Sequence, residues 1–158
     1  MPLTNREKMR KSNFSKLCWF LSSGILISSG ILHIHGIFFS SDLHPAPERI
    51  AEQLKTTSIQ MDQTGNFWNL WIGFNAMFGA GLVFMGSLLL YLTRFHFNFL
   101  SKKHYISILY VCTLSFFVWI GQKYMIDDFT LVMIALLALY AIGFVLPVVT
   151  KIKPDENL

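Results

Sequence analysis

The sequence predicts an all-α fold, a four-transmembrane-helix bundle, N-in/C-in, with a short amphipathic helix in the first outer loop. Three observations predict it. Charged residues make up only 14% of the 158 and apolar residues 53%, with a mean hydropathy of +0.48, whereas a soluble domain carries about 25% charged residues. The charges are gathered into short blocks separated by four apolar runs, each longer than the roughly 20 residues that cross a bilayer. Lys and Arg favour alternate blocks. The length suits a single integral membrane domain over 1–158.

The first run covers about 17–39, after Arg6, Lys8, Arg10, Lys11 and Lys16. A basic start before an apolar run also describes a signal peptide. This run is too long for that, and Phe38 and Phe39 stand where a cleavage site needs small residues, so an uncleaved helix is expected. The outer loop that follows is long for a connection without structure. Pro47 and Glu48 suit a helix start. Ile50, Ala51, Leu54 and Met61 then line one face, which predicts a surface helix over 47–61. Asp62-Gln63-Thr64-Gly65-Asn66 is turn chemistry that ends it.

The second run covers about 67–92, the third 105–126 and the fourth 129–150. These runs are continuous rather than alternating, so they read as helices, which satisfy their own backbone groups in lipid. The link Ile126-Asp127-Asp128-Phe129 forces an antiparallel hairpin, with one aspartate expected to cap the fourth helix. Pro147 is expected to kink that helix near its end. Ten of the thirteen Lys and Arg fall on one side: five before the first helix, then Arg94, Lys102, Lys103, Lys151 and Lys153. The other side holds Arg49, Lys55 and Lys123 against six carboxylates. That bias places both termini in the cytoplasm.

Polar groups inside lipid are costly and should face a partner or a cavity. Ser22, Ser29, His33 and Gly36 share one stripe of the first helix; Trp68, Trp71, Asn75, Gly79 and Gly86 share one on the second. On the third, Ser115 and Gln122 share a face, with Val118 and Trp119 either side. Two readings follow. Small and polar residues can serve helix packing alone. Alternatively His33, Trp68, Trp71, Asn75 and Gln122 line a ligand pocket open to the outer side, since aromatic walls with a few convergent polar groups make such a site. His33 would lie about 9 Å below the outer end of its helix, at 1.5 Å per residue.

A metal or haem site is weighed and not favoured. His33 and His35 point about 200° apart on a helix, and a set from His33, His44 and Asp128 needs distant segments to converge. Cys18 and Cys112 form no ligand or redox spacing and read as packing residues. His96 and His104 fall in the basic cytoplasmic loop. Trp-Ile-Gly occurs twice, at Trp71 and Trp119, and the liking of Trp for membrane interfaces explains the match. No nucleophile–base pair, phosphate-binding glycine loop or paired catalytic carboxylates are present, and no nucleic-acid motif accompanies the net charge of +4. Gly24-x-x-x-Ser28 and Ala76-x-x-x-Ala80 suit packing within the chain or in a homo-oligomer.

The stretch Trp68-Asn69-Leu70-Trp71-Ile72-Gly73-Phe74-Asn75, with Gly30-x-x-His33, resembles a group of small uncharacterised bacterial four-helix integral membrane proteins. Chain length and the long outer loop agree. A more distant likeness is to DoxX-like four-helix membrane proteins, some linked to quinone or thiol redox chemistry. The resemblance implies a bacterial inner (plasma) membrane and the lipid bilayer as partner. It implies no catalytic residue and no cofactor. The function expected is a membrane protein without catalysis of its own. It binds a small apolar or amphipathic ligand at its outer-leaflet end or associates with other membrane proteins. The alternative is a membrane enzyme acting on a lipid, quinone or sterol-like substrate, with His33 as acid/base and Asn75 or Gln122 orienting.

Overall fold

The computed structural model describes residues 5–102 and 104–151. Lys103 and Lys153, two of the cations in the charge bias, lie outside the described residues. In chain order the elements are α1 (Asn5–Phe38), α2 (Glu48–Thr56), β1 (Ser58–Ile59), β2 (Asp62–Asn66), α3 (Phe67–Phe95), α4 (Phe97–Lys102), α5 (His104–Tyr124) and α6 (Asp127–Lys151).

The four apolar runs fall on α1, α3, α5 and α6, and all four helices are long and apolar enough to cross a membrane. Apolar side chains surround them: Leu32, Phe84, Phe95 and Leu131 are each more than 60% exposed. A helix set in water would bury such residues, whereas lipid solvates them. The described residues are thus those of a membrane protein, compatible with several crossings. Helix α1 begins twelve residues before its apolar run, because no Gly or Pro interrupts the basic stretch from Asn5 to Lys16.

The described chain forms two compact units. One joins the start of α1, up to Ile25, with everything from Leu88 onward. There α5 and α6 make the expected antiparallel hairpin, linked only by Met125 and Ile126. Tyr110 stacks on Tyr140 with ring centroids 5.4 Å apart and planes 11° apart. At the other end of the hairpin a Cβ on Gly121 would stand 2.8 Å from Thr130 Oγ1. Trp19 is wholly buried, stacked on Tyr140 at 5.8 Å, and its Nε1–H donates to the Tyr140 carbonyl at 3.3 Å. Ser15 Oγ donates to the Gly143 carbonyl. Gly143 must lack a side chain, because a Cβ there would sit 2.8 Å from Trp19 Nε1. Cys18 is buried in this packing and Cys112 is exposed; both are free thiols. Asp127 and Asp128 lie in the first turn of α6. Among the described residues neither carboxylate accepts a capping hydrogen bond from the helix backbone, so they complement its dipole from within the turn. Helix α6 runs on through position 147 to Lys151.

The second unit runs from Leu26 to Ser87. It pairs the end of α1 with the start of α3, antiparallel, at glycines. A Cβ on Gly30 would fall 2.5 Å from the Gly79 carbonyl oxygen, and one on Gly86 would fall 2.9 Å from the Ile27 amide nitrogen. Missing side chains let the two backbones approach to contact, as membrane helices do. The loop differs from its sequence reading. Helix α2 stops at Thr56, not near residue 61, and the chain returns as an antiparallel hairpin with Ser58 opposite Asn66 and Ile59 opposite Asp62. The reason is local. Thr56 and Thr57 turn their hydroxyls back onto the Gln53 carbonyl at 3.0 and 2.7 Å, and β-branched Thr-Thr-Ser-Ile favours extension. Met61 therefore sits at the hairpin tip, 97% exposed, and the 62–66 stretch is a strand rather than a terminating turn. Asn66 caps α3, its Oδ1 accepting from the Asn69 N–H at 2.8 Å.

Candidate functional site

The polar groups of the second unit converge where α1 and α3 meet the loop that joins them. His33 lies just short of the last turn of α1, one turn beyond Gly30 and on the same face. The close approach at Gly30 and Gly79 brings that face onto α3. His33 Nε2 meets Asn75 Oδ1 at 3.0 Å. Asn75 Nδ2 donates to the Trp71 carbonyl one turn earlier, at 2.8 Å.

This pair of bonds settles the protons. The Trp71 carbonyl can only accept, so the amide must present Nδ2 to it and Oδ1 to His33. Oδ1 can only accept in turn, so Nε2 carries the hydrogen. A neutral His33 is therefore the Nε2–H tautomer, and among the described residues no hydrogen bond reaches its Nδ1. The Phe78 ring packs on the imidazole edge-to-face, with ring centres 5.0 Å apart and planes at 72°.

The loop closes over the same helix end. Trp71 Nε1 donates to the Leu43 carbonyl at 3.0 Å. His44 Nε2 donates to the Ile37 carbonyl at 3.2 Å, and its ring stands edge-on to Trp68 at 5.0 Å. Lys55 Nζ, from α2, lies 5.4 Å from the centre of the Trp68 ring. Two indoles therefore tie the loop to α3, one by a hydrogen bond and one through a histidine and a cation.

Of the five residues expected at a site, four belong to this cluster. His33, Asn75 and Trp71 are joined by successive hydrogen bonds, and Trp68 reaches it through His44. Gln122 belongs to the other unit, on α5, with its side chain exposed. His44 and Lys55 were missed as members. Nothing in their spacing marks them, because they arrive through the fold of a loop. His33 and His44 are each committed to a different acceptor, and no group of three or more metal-ligating side chains occurs among the described residues. The two Trp-Ile-Gly copies serve different ends: Gly121 is buried against Phe129 and Thr130, while a Cβ on Gly73 would meet nothing within 4 Å.

Chemically the arrangement offers one oriented imidazole and a fixed amide, both partly buried between two apolar helices, with the half-exposed indole of Trp71 beside them. No protein-family model matches this chain, and no curated protein or solved structure is significantly similar to it.

Proposed function

We propose that the protein is a multi-pass protein of the bacterial inner membrane, N-in/C-in, that takes a small apolar or amphipathic ligand at its outer end. The ligand sits against His33, Asn75, Trp71 and Trp68. The observation that carries this reading is the His33–Asn75–Trp71 relay. It spends two polar side chains within an apolar helix pair to hold one imidazole in one tautomer.

The Lys and Arg bias supports the orientation. So does the bond from Ser15, near the start of α1, to Gly143, near the end of α6, because it brings both ends of the chain to one end of their helices. In that orientation α2 lies along the outer membrane surface. It buries none of its residues, Ile50 stays 40% exposed, and the ion pair of Lys55 with Glu52 at 2.6 Å faces water.

The test is the set of small molecules that co-purify with the protein, identified by mass spectrometry. Wild type is expected to retain an apolar species that Asn75→Leu loses. Identical profiles from the two proteins would overturn ligand binding here.

The oriented imidazole favours one second reading, an enzyme acting on a lipid, quinone or sterol-like substrate with His33 as acid/base. His33→Gln separates the two. Its amide can still donate to Asn75 but takes up no proton, so it keeps the ligand under the first reading and accumulates unturned substrate under the second.

A further inference from the structure

The first unit holds a second feature, which the reading above does not use. A cleft of about 400 Å³ opens between Lys16 on α1 and the chain from Arg94 to Phe99, where α3 ends and α4 begins. Its lining includes Lys16, Arg94, His96 and Asn98 and no carboxylate. Among the described residues neither Lys16 nor Arg94 forms an ion pair, and no carboxylate lines the cleft.

The floor is built rather than incidental. Lys16 Nζ stands 4.7 Å from the centre of the Phe97 ring. Phe97 packs on Trp19 at 5.5 Å, and Trp19 stacks on buried Tyr140 at 5.8 Å. The ammonium is therefore held over a ring that is itself anchored in the core. His96 Nε2 lies 3.3 Å from the Tyr91 hydroxyl, which orients that wall.

We propose that this cleft binds the phosphate of an anionic phospholipid headgroup. Two unpaired cations with an amide and an imidazole beside them match a phosphate's charge and its several acceptor oxygens. Lipid rather than free phosphate follows from the rim. Phe95 is 67% exposed and Phe99 46% exposed, and both flank the charged groups. Water would leave those rings unsatisfied, whereas the glycerol and upper acyl carbons of a bound lipid cover them. Depth agrees, because Phe95 is the last residue of the apolar span beginning at Phe67, which puts the cleft at headgroup level. The inference rests on the membrane reading of the chain and is independent of the ligand at His33.

The experiment uses the full-length protein. Alkaline carbonate extraction first establishes that wild type and variants stay in the membrane. Release of the wild type would remove the membrane reading itself. Retained protein, purified in detergent, is then offered phosphatidylglycerol or phosphatidylcholine, and bound lipid is read by native mass spectrometry. Wild type is expected to prefer the anionic lipid by about tenfold or more. Lys16→Gln with Arg94→Gln should bring the preference to within about twofold, while Arg94→Lys keeps most of it. Arg6→Gln with Arg10→Gln, on the same helix outside the cleft, should leave it unchanged. A cleft double variant that keeps the wild-type preference for the anionic lipid would overturn the proposal, and so would an equal loss in the Arg6 and Arg10 control. Displacement of the lipid by inorganic phosphate alone would also overturn it, by making the cleft a site for the free anion.

Discussion

Asp62 shows how one side chain sets a local fold. Its Oδ1 accepts from the Thr64 hydroxyl at 2.6 Å and from the Thr64 N–H at 3.0 Å, pinning the residues that follow the hairpin tip. Those two donors hold the carboxyl below its ordinary pKa, the hydroxyl contributing most. A depressed folded pKa means that the unfolded loop binds protons more readily than the folded one. The contribution is then present above the unfolded carboxylate range and is lost as pH falls through the folded pKa. Amide exchange at Thr64 is therefore expected to speed up as pH drops below the usual carboxylate range, after correction for its intrinsic rate. In Asp62→Asn the same oxygen accepts without titrating, so the corrected rate should be flat with pH. A wild-type rate that is equally flat would show that the carboxylate does not hold the turn.

The amide of Asn75 works by the same logic. A side chain that donates on one edge and accepts on the other transmits the polarity of a fixed carbonyl to a histidine a helix away. Asn was legible in the sequence as a polar residue on the stripe shared with Trp71. Its orientation was not, because that depends on which acceptor lies behind it.

Among the elements, the pair made by α1 and α3 is governed by where side chains are missing. Gly30 and Gly79 face each other so closely that an added Cβ on Gly30 meets backbone atoms, the Gly79 oxygen at 2.5 Å and the Val83 nitrogen at 2.8 Å. Backbone cannot rotate away as a side chain can. Gly30→Ala is expected to cost about 1–3 kcal/mol through forced separation of the helices, measured by thermal unfolding in detergent. Gly73→Ala, where the added carbon meets open space, should stay within about 0.5 kcal/mol. Equal effects at both positions would mean that the glycines do not set the approach. Gly143 follows the same rule. A single glycine in an otherwise unbroken apolar run was the visible signal, and its purpose appeared only when Trp19 was found against it. The fourth apolar helix supplies the carbonyls of Tyr140 and Gly143 to polar side chains of α1.

For the molecule as a whole, four apolar helices and an uneven charge distribution bear on orientation together. In a background without Cys18 and Cys112, Thr64→Cys is expected to react with a membrane-impermeant maleimide in intact cells. Asn98→Cys should react only after the membrane is opened. The opposite pattern would reverse the proposed orientation, and with it the assignment of the His33 cluster to the outer side and the basic cleft to the inner one.

Periodicity, length and charge bias are properties of the chain read in order, and lipid rewards them locally. Each apolar run must satisfy its own hydrogen bonds and become a helix wherever it packs. That is why α1, α3, α5 and α6, and the tight turn at Met125-Ile126, could be drawn from composition alone. Helix α2 was legible at its start but not at its end, because a helix-like apolar spacing competed with the preference of Thr56, Thr57 and Ile59 for extension, and the paired strand tipped the balance. Polar stripes identified His33, Trp71 and Asn75 as neighbours along their own helices. Joining them needed the glycine contact between helices, and adding Leu43, His44 and Lys55 needed the loop to fold back. Lys16 and Arg94 read as markers of sidedness, since charge alone carries no address. Their common cleft exists because Phe97, Trp19 and Tyr140 stack in space across three separate segments, and such long-range packing leaves no periodic trace in a sequence.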